Sequence, residues 1–185
     1  MKCLMFTGEH GEWTKHTNFE LATHAPMLIR IPGLTDGGVV TEQLTEFVDL
    51  FPTLVEAAGL TPMEQCPKHS AKIALCTEGT SLLPLIKEPE SKLWKKRVFS
   101  QYPRHANHTD IMGYTMRTAR YRYTEWVHFD YAPHYAPRWN KLYGIELYDH
   151  VRDPYENVNV YAEPGYKATV KGLSKMLHLG WRHAL

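Results

Sequence analysis

No uninterrupted apolar run reaches the roughly 18 residues that a membrane-crossing helix requires, so the sequence contains no helical span. An excess of charge is missing too, with 21 Lys and Arg against 20 Asp and Glu. A chain so balanced exerts no bulk attraction on nucleic acid or acidic membranes. Internal repeats and low-complexity tracts are absent. Met1-Lys2-Cys3-Leu4-Met5-Phe6 falls short of the roughly 7 to 15 apolar residues of a secretory leader, so no targeting signal is expected within these residues. Cysteine is scarce, at Cys3, Cys66 and Cys76 only.

What is present suffices for one core with a small appended subdomain: 185 residues, 43% of them hydrophobic. The most informative stretch is Gly8-Glu9-His10-Gly11-Glu12-Trp13-Thr14-Lys15, continuing to Phe19-Glu20. Two glycines three apart permit a sharp turn and a close approach to a ligand. They gather an imidazole, carboxylates, an indole and an ammonium in one loop. Behind it, Met27-Leu28-Ile29-Arg30-Ile31, bounded by Pro26 and Pro32, reads as a short and mostly buried strand.

Further along, Thr41 to Gly59 has helical periodicity, with Asp49 at a first turn containing Pro52 and Gly59 as the stop. Thr61 to Thr80 is a polar excursion in which Cys66 and Cys76, ten positions apart, either close a short disulfide or stay free. Trp94-Lys95-Lys96-Arg97 reads as a solvated loop end before a strand from Val98 to Tyr102. Ile111 to Arg117 and Tyr121 to Val127 have the content of an antiparallel hairpin turning at Thr118-Ala119. Arg120 and Arg122 alternate there with Tyr121 and Tyr123, which puts guanidinium groups on one face and phenol rings on the other. Such arginines either grip an acidic sugar through bidentate hydrogen bonds or, more commonly, pair with carboxylates of a neighbouring element. Gly144 to Asp149 is another strand candidate, Asp153-Pro154 a turn. A last amphipathic helix is expected from Pro164, with Val170, Leu173, Met176 and Leu177 on one side. Asn107-His108-Thr109 is an acceptor pattern for N-glycosylation.

Gly8-Glu-His-Gly-x-Trp-x-Lys15, then Phe19-Glu20 and Ala25-Pro-Met-Leu-Ile-Arg30, resembles the stretch that sulfatases carry just after an Asp-His-Gly metal motif. Later segments agree: Asp49-Leu-Phe-Pro-Thr-Leu54, Glu78-Gly-Thr-Ser-Leu-Leu-Pro84 with Glu in place of the usual Asp, Ser100-Gln-Tyr-Pro-Arg104, Ile111-Met-Gly-Tyr114, Arg120 to Trp126, and Asp153-Pro-x-Glu-x-x-Asn near the end. Within the family the likeness is to the branch that removes the 2-sulfate of iduronic acid in dermatan and heparan sulfate.

The resemblance implies an α/β fold: the C-terminal part of an alkaline-phosphatase-like sulfatase domain over residues 1–100, then a small antiparallel sheet with a terminal helix over 101–185. It implies that Lys15 is the catalytic, sulfate-contacting lysine, that His10, Trp13 and Arg117 lie at the substrate, and that Cys66 pairs with Cys76. A sulfated glycosaminoglycan is the implied substrate and the lysosome the implied location. The family also uses calcium and a nucleophile made from cysteine in Cys-x-Pro-Ser-Arg. None of the three cysteines here stands in that motif, and Lys2 to Phe6 occupy the place of Asp-His-Gly. The nucleophile and metal ligands are therefore expected outside this sequence, with no metal bound to it and no hydrolysis by it alone. Two other classes remain: a metal module built on His105-x-x-His108 among eleven histidines, and a noncatalytic carbohydrate or partner-binding piece using Arg117, Arg120, Arg122 and Trp126.

Overall fold

The structure, a computed structural model, describes residues 8–70, 72–106, 109–132 and 135–184. Asn107, His108 and the Met1 to Phe6 segment lie outside the described residues, and with them the glycosylation and His105-x-x-His108 expectations. The chain forms two units: the segment ending at Pro26 joins Arg97–His183, and Met27–Lys96 forms the other together with Ala184. The expected boundary at 100/101 falls inside a strand. Residues up to Pro26 go with the sheet because Asn18 and Glu20 bond to sheet residues.

In the first unit, β1 (Arg97–Ala106), β2 (Thr109–Thr118), β3 (Tyr121–Asp130) and β4 (Ala136–Asp149) form an antiparallel meander in the order β1-β2-β3-β4. The hairpin of β2 and β3 turns where its sequence indicates, with Arg117 opposite Arg122 and Gly113 opposite Trp126. The terminal helix α4 (Lys167–Leu179) follows a short 3-10 turn at Pro164–Tyr166. Its Leu173 and Leu177 close over Met116, Tyr123 and Leu147, each with no exposed surface, while Val170 and Met176 flank the cluster. One face of the sheet is thus committed to the core. The other face carries Tyr102, Arg104, Arg117, Arg122, Trp126 and Glu146, as the alternation of side chains along a strand requires.

Gly113 has a specific steric reason. A Cβ there would lie 2.6 Å from the Trp126 ring, so only glycine lets the indole cross β2. The indole Nε1–H then donates to Glu146 at 2.8 Å.

The second unit is built on the short helices α2 (Leu50–Ala57) and α3 (Leu83–Lys87). The region expected to be helical from Thr41 winds only from Phe47, first as a 3-10 turn, and ends at Gly59 with φ +69°. Two expectations are corrected here. Met27 to Ile31 forms no strand and pairs with none among the described residues. Met27 and Ile29 pack on Leu82, Leu85 and Trp94, whereas Leu28 is 93% exposed; without a neighbouring ladder, alternate side chains face outward. The basic cluster is not a solvated loop end either, because Trp94 and Lys95 are both buried. Lys95 Nζ donates to Asp49 at 2.7 and 2.9 Å and to Glu46 at 2.7 Å, which compensates the burial of its charge. Cys66 and Cys76 form a disulfide, and the chain on either side is tied by hydrogen bonds of 2.9 Å between Cys66 and Thr77 and between Thr77 and Glu64.

Candidate functional site

The glycine loop lies against the sheet face opposite α4, and its backbone closes on itself: the Gly8 N–H donates to Glu12 O and the Gly11 N–H to Gly8 O, both at 3.0 Å. Gly8 and Gly11 have φ of +118° and +71°, the left-handed region that glycine enters freely. His10 joins them at φ 54°. Its ring stacks on Phe19 with centroids 4.2 Å apart, and its Nε2 donates to the Tyr155 carbonyl at 3.0 Å.

Side chains on both sides of Lys15 dock on β1. The Arg104 guanidinium donates to Glu12 at 3.1 Å, and the His16 ring stacks on Tyr102 at 5.9 Å. Asn18 Nδ2 donates to the Gly113 carbonyl at 3.0 Å. Lys15 itself is half-buried, and its ammonium makes no hydrogen bond or ion pair among the described residues. Trp13 is 71% exposed.

Below the loop lies a buried ionic cluster. Arg122 donates through Nε to Glu156 at 2.6 Å, through a second nitrogen to Glu20, and to Thr23 at 3.0 Å. Arg117 donates to Glu20 at 3.1 Å and to the Thr118 carbonyl. His150 donates to Glu156 at 2.7 Å, and the Glu20 N–H donates to the other Glu156 oxygen, also at 2.7 Å. Burial pushes both carboxyl groups up, but the arginines, with His150 and the backbone at Glu156, outweigh it and hold Glu20 and Glu156 below the ordinary range. Beside them, Glu146 goes the other way, raised by burial. Arg120 is engaged separately, at 2.9 and 2.6 Å from the two oxygens of Asp149, and that bond brings the Asp149 carboxyl down to about 2.

The structure therefore brings His10, Trp13 and Lys15 into one loop and places Arg117 beneath it, tied to Glu20. Of the four, Trp13 is exposed and Lys15 keeps an ammonium without a partner among the described residues, while His10 and Arg117 are bound within the fold. The arginines of β3 and the turn before it pair with carboxylates. Pattern reading singled out Phe19-Glu20 without giving Glu20 a role, and it gave none to Glu156 or His150. Only the Asp-Pro-x-Glu spacing pointed toward Glu156.

Glu20, His150 and Glu156 bring ligand atoms within 4.8 Å of one another. The Arg122 guanidinium already satisfies both carboxylates, and calcium asks for six to eight oxygen ligands. The cluster does not fit that ion.

A family model described as N-sulphoglucosamine sulphohydrolase, C-terminal, matches residues 8–180. Iduronate 2-sulfatase of Mus musculus is 35% identical and that of Homo sapiens 33%, each alignment covering 83% of this chain and 36% of the relative. N-acetylglucosamine-6-O-sulfatase of Bacteroides thetaiotaomicron is 27% identical over 93% of this chain and 27% of its own. The chain thus spans between about a quarter and little more than a third of the length of these curated relatives. Among solved structures, a 2-O GAG sulfatase superposes with a TM-score of 0.47 at 25% identity, covering 70% of this chain and 23% of that one.

Proposed function

Since this chain belongs to the sulfatase family, matching its N-sulphoglucosamine sulphohydrolase C-terminal model, we propose that it is the C-terminal module of a sulfuric ester hydrolase and that Lys15 contacts the sulfate being transferred. The observation that carries this reading is the state of Lys15: a half-buried ammonium without a partner among the described residues, in a loop tethered on both sides. A tetrahedral anion has to be held while its sulfur is attacked, and a preoriented cation in a partly dry site stabilises that charge more than water does. Trp13 offers an apolar wall to a sugar ring, while His10 and Arg117 support the loop.

The substrate class is a 2-O-sulfated iduronic acid within dermatan or heparan sulfate, supported by identity to iduronate 2-sulfatases. A calcium-dependent enzyme of the lysosome is the whole-protein reading that goes with it. Hydrolysis further requires a nucleophile, and no cysteine here stands in Cys-x-Pro-Ser-Arg. The 185-residue chain is therefore expected to bind sulfate through Lys15 without releasing it from an ester.

Titration of the chain with inorganic sulfate and with a 2-O-sulfated iduronate disaccharide tests both halves. Saturable binding that Lys15→Ala abolishes is the expected result. Equal binding by wild type and Lys15→Ala would remove Lys15 from the role, and sulfate release by the purified chain would overturn the inactivity. The competing reading, a noncatalytic carbohydrate or partner-binding piece working through Arg117, Arg120, Arg122 and Trp126, predicts binding insensitive to Lys15→Ala.

A further inference from the structure

Polar tethers hold the segment carrying Lys15 to the rest of its unit along its whole length. His10 donates to Tyr155 O at 3.0 Å, Arg104 to Glu12 at 3.1 Å, Asn18 to Gly113 O at 3.0 Å, and the Glu20 N–H to Glu156 at 2.7 Å. The first and last of these end on consecutive residues of one turn, Tyr155 and Glu156. That turn therefore grips the loop at both ends, with Lys15 midway between His10 and Glu20.

Glu156 is an unusual residue to find there. Its φ is +59°, a region a side-chain-bearing residue rarely adopts, and it is only 2% exposed. Such a conformation persists where the surroundings over-determine it. Here they do so through three donors from three places: Arg122 on β3, His150 after β4, and the Glu20 N–H at the start of α1 (Glu20–Thr23). Arg122 also reaches Glu20, so backbone and side chain of Glu20 are fixed by the same hub. A mobile lysine gains little from its charge unless its base is held, since a displacement of about 1 Å in a positioning group can cost two orders of magnitude in rate. A buried carboxylate with all its donors in place is a means of holding it.

We propose that Glu156 is a positioning residue for Lys15. Through Glu20 it pins the far end of the loop, and the carbonyl preceding it pins the near end at His10, so the ammonium is presented in one place. This rests on Lys15 being the sulfate contact.

The test is made on the 185-residue chain with Glu156→Gln, which keeps size and removes charge, with Lys15→Ala for comparison. Amide hydrogen exchange is followed over residues 8–20 and over β2 and β3, and inorganic sulfate is titrated by NMR. Glu156→Gln is expected to speed exchange in residues 8–20 about tenfold more than in β2 and β3, and to weaken sulfate binding about tenfold, which corresponds to the loss of an ordered geometry rather than of a contact. Unchanged loop exchange would overturn the proposal, and so would a loosened loop with unchanged sulfate affinity. If wild type and Lys15→Ala bind sulfate equally, the Lys15 reading fails, while loop exchange still reports whether Glu156 grips the segment. Should Glu156→Gln not fold, His10→Ala, at the exposed end of the same grip, carries the test with the same expected and overturning results.

Discussion

Arg122 Nε and Glu156 Oε1 lie 2.6 Å apart with side chains 3% and 1% exposed, and Glu20 shares the same guanidinium. Removing Arg122 leaves two buried carboxylates without their shared cation. Arg122→Ala is expected to destabilise the fold by about 3 to 5 kcal/mol, the usual result of orphaning one side of a buried pair. Arg122→Lys should recover only part of this, because a flexible ammonium does not reproduce the rigid planar fork whose separate nitrogens reach Glu156 and Glu20. Urea denaturation of the three proteins checks both statements.

Lys15 presents the opposite case. With no partner among the described residues, its replacement by Ala or Met should move stability by no more than about 0.5 kcal/mol. Thermal melts of wild type and variant should superimpose even where sulfate titrations differ.

Acid should unfold the first unit through its carboxylates. Glu20 and Glu156 titrate below their unfolded values, so they contribute stability that is complete above the unfolded glutamate pKa of about 4.3 and is lost as pH falls through the folded values. Asp149, brought down to about 2 chiefly by the Arg120 hydrogen bond, extends the loss below the unfolded aspartate value of about 3.9. Stability followed by chemical denaturation should fall steadily from pH 5 downward, with most of the change at about pH 4 and below. A stability that stays flat between pH 5 and about pH 3 would contradict this.

Reduction, or Cys66→Ser with Cys76→Ser, reopens a loop of ten residues. The loop-closure account puts the loss at about 2 to 3 kcal/mol. A melt in reducing and non-reducing buffer measures it.

Phe47, Phe51 and Leu54 are 66%, 56% and 64% exposed, and their spacing of four and three sets them on one face of the helical segment. An apolar stripe of this kind promotes association. Phe51→Glu with Leu54→Lys should reduce self-association in light scattering at little cost in stability; a wild-type chain that is already monomeric at high concentration would contradict this.

The parts legible in the sequence are those whose signal is local. The hairpin at Thr118-Ala119 and the stripe of Val170, Leu173, Met176 and Leu177 are set by periodicity, and both form. Met27 to Ile31 shows where such reading stops: its composition suits a strand, but a strand exists only beside another. Lys95 failed for a related reason, as its partners Glu46 and Asp49 stand 49 and 46 residues away and a run of basic residues does not reveal them. The bond between Glu20 and Glu156 spans 136 residues. No spacing rule reaches that far, and only the likeness to sulfatases put the loop and the Asp-Pro-x-Glu turn on the same page.

At Gly79 a Cβ would stand 2.0 Å from the carbonyl oxygen of Val48. Two stretches of main chain are in contact there with nothing between them, and the obstacle is rigid backbone, not a side chain able to swing aside. Even Gly79→Ala would have to separate the disulfide-bearing excursion from the entrance to α2, and would pull Asp49 away from the Thr80 amide that it accepts from at 2.8 Å. A single methyl group at this crossing would therefore also disturb the seat of Lys95, sixteen residues further along the chain.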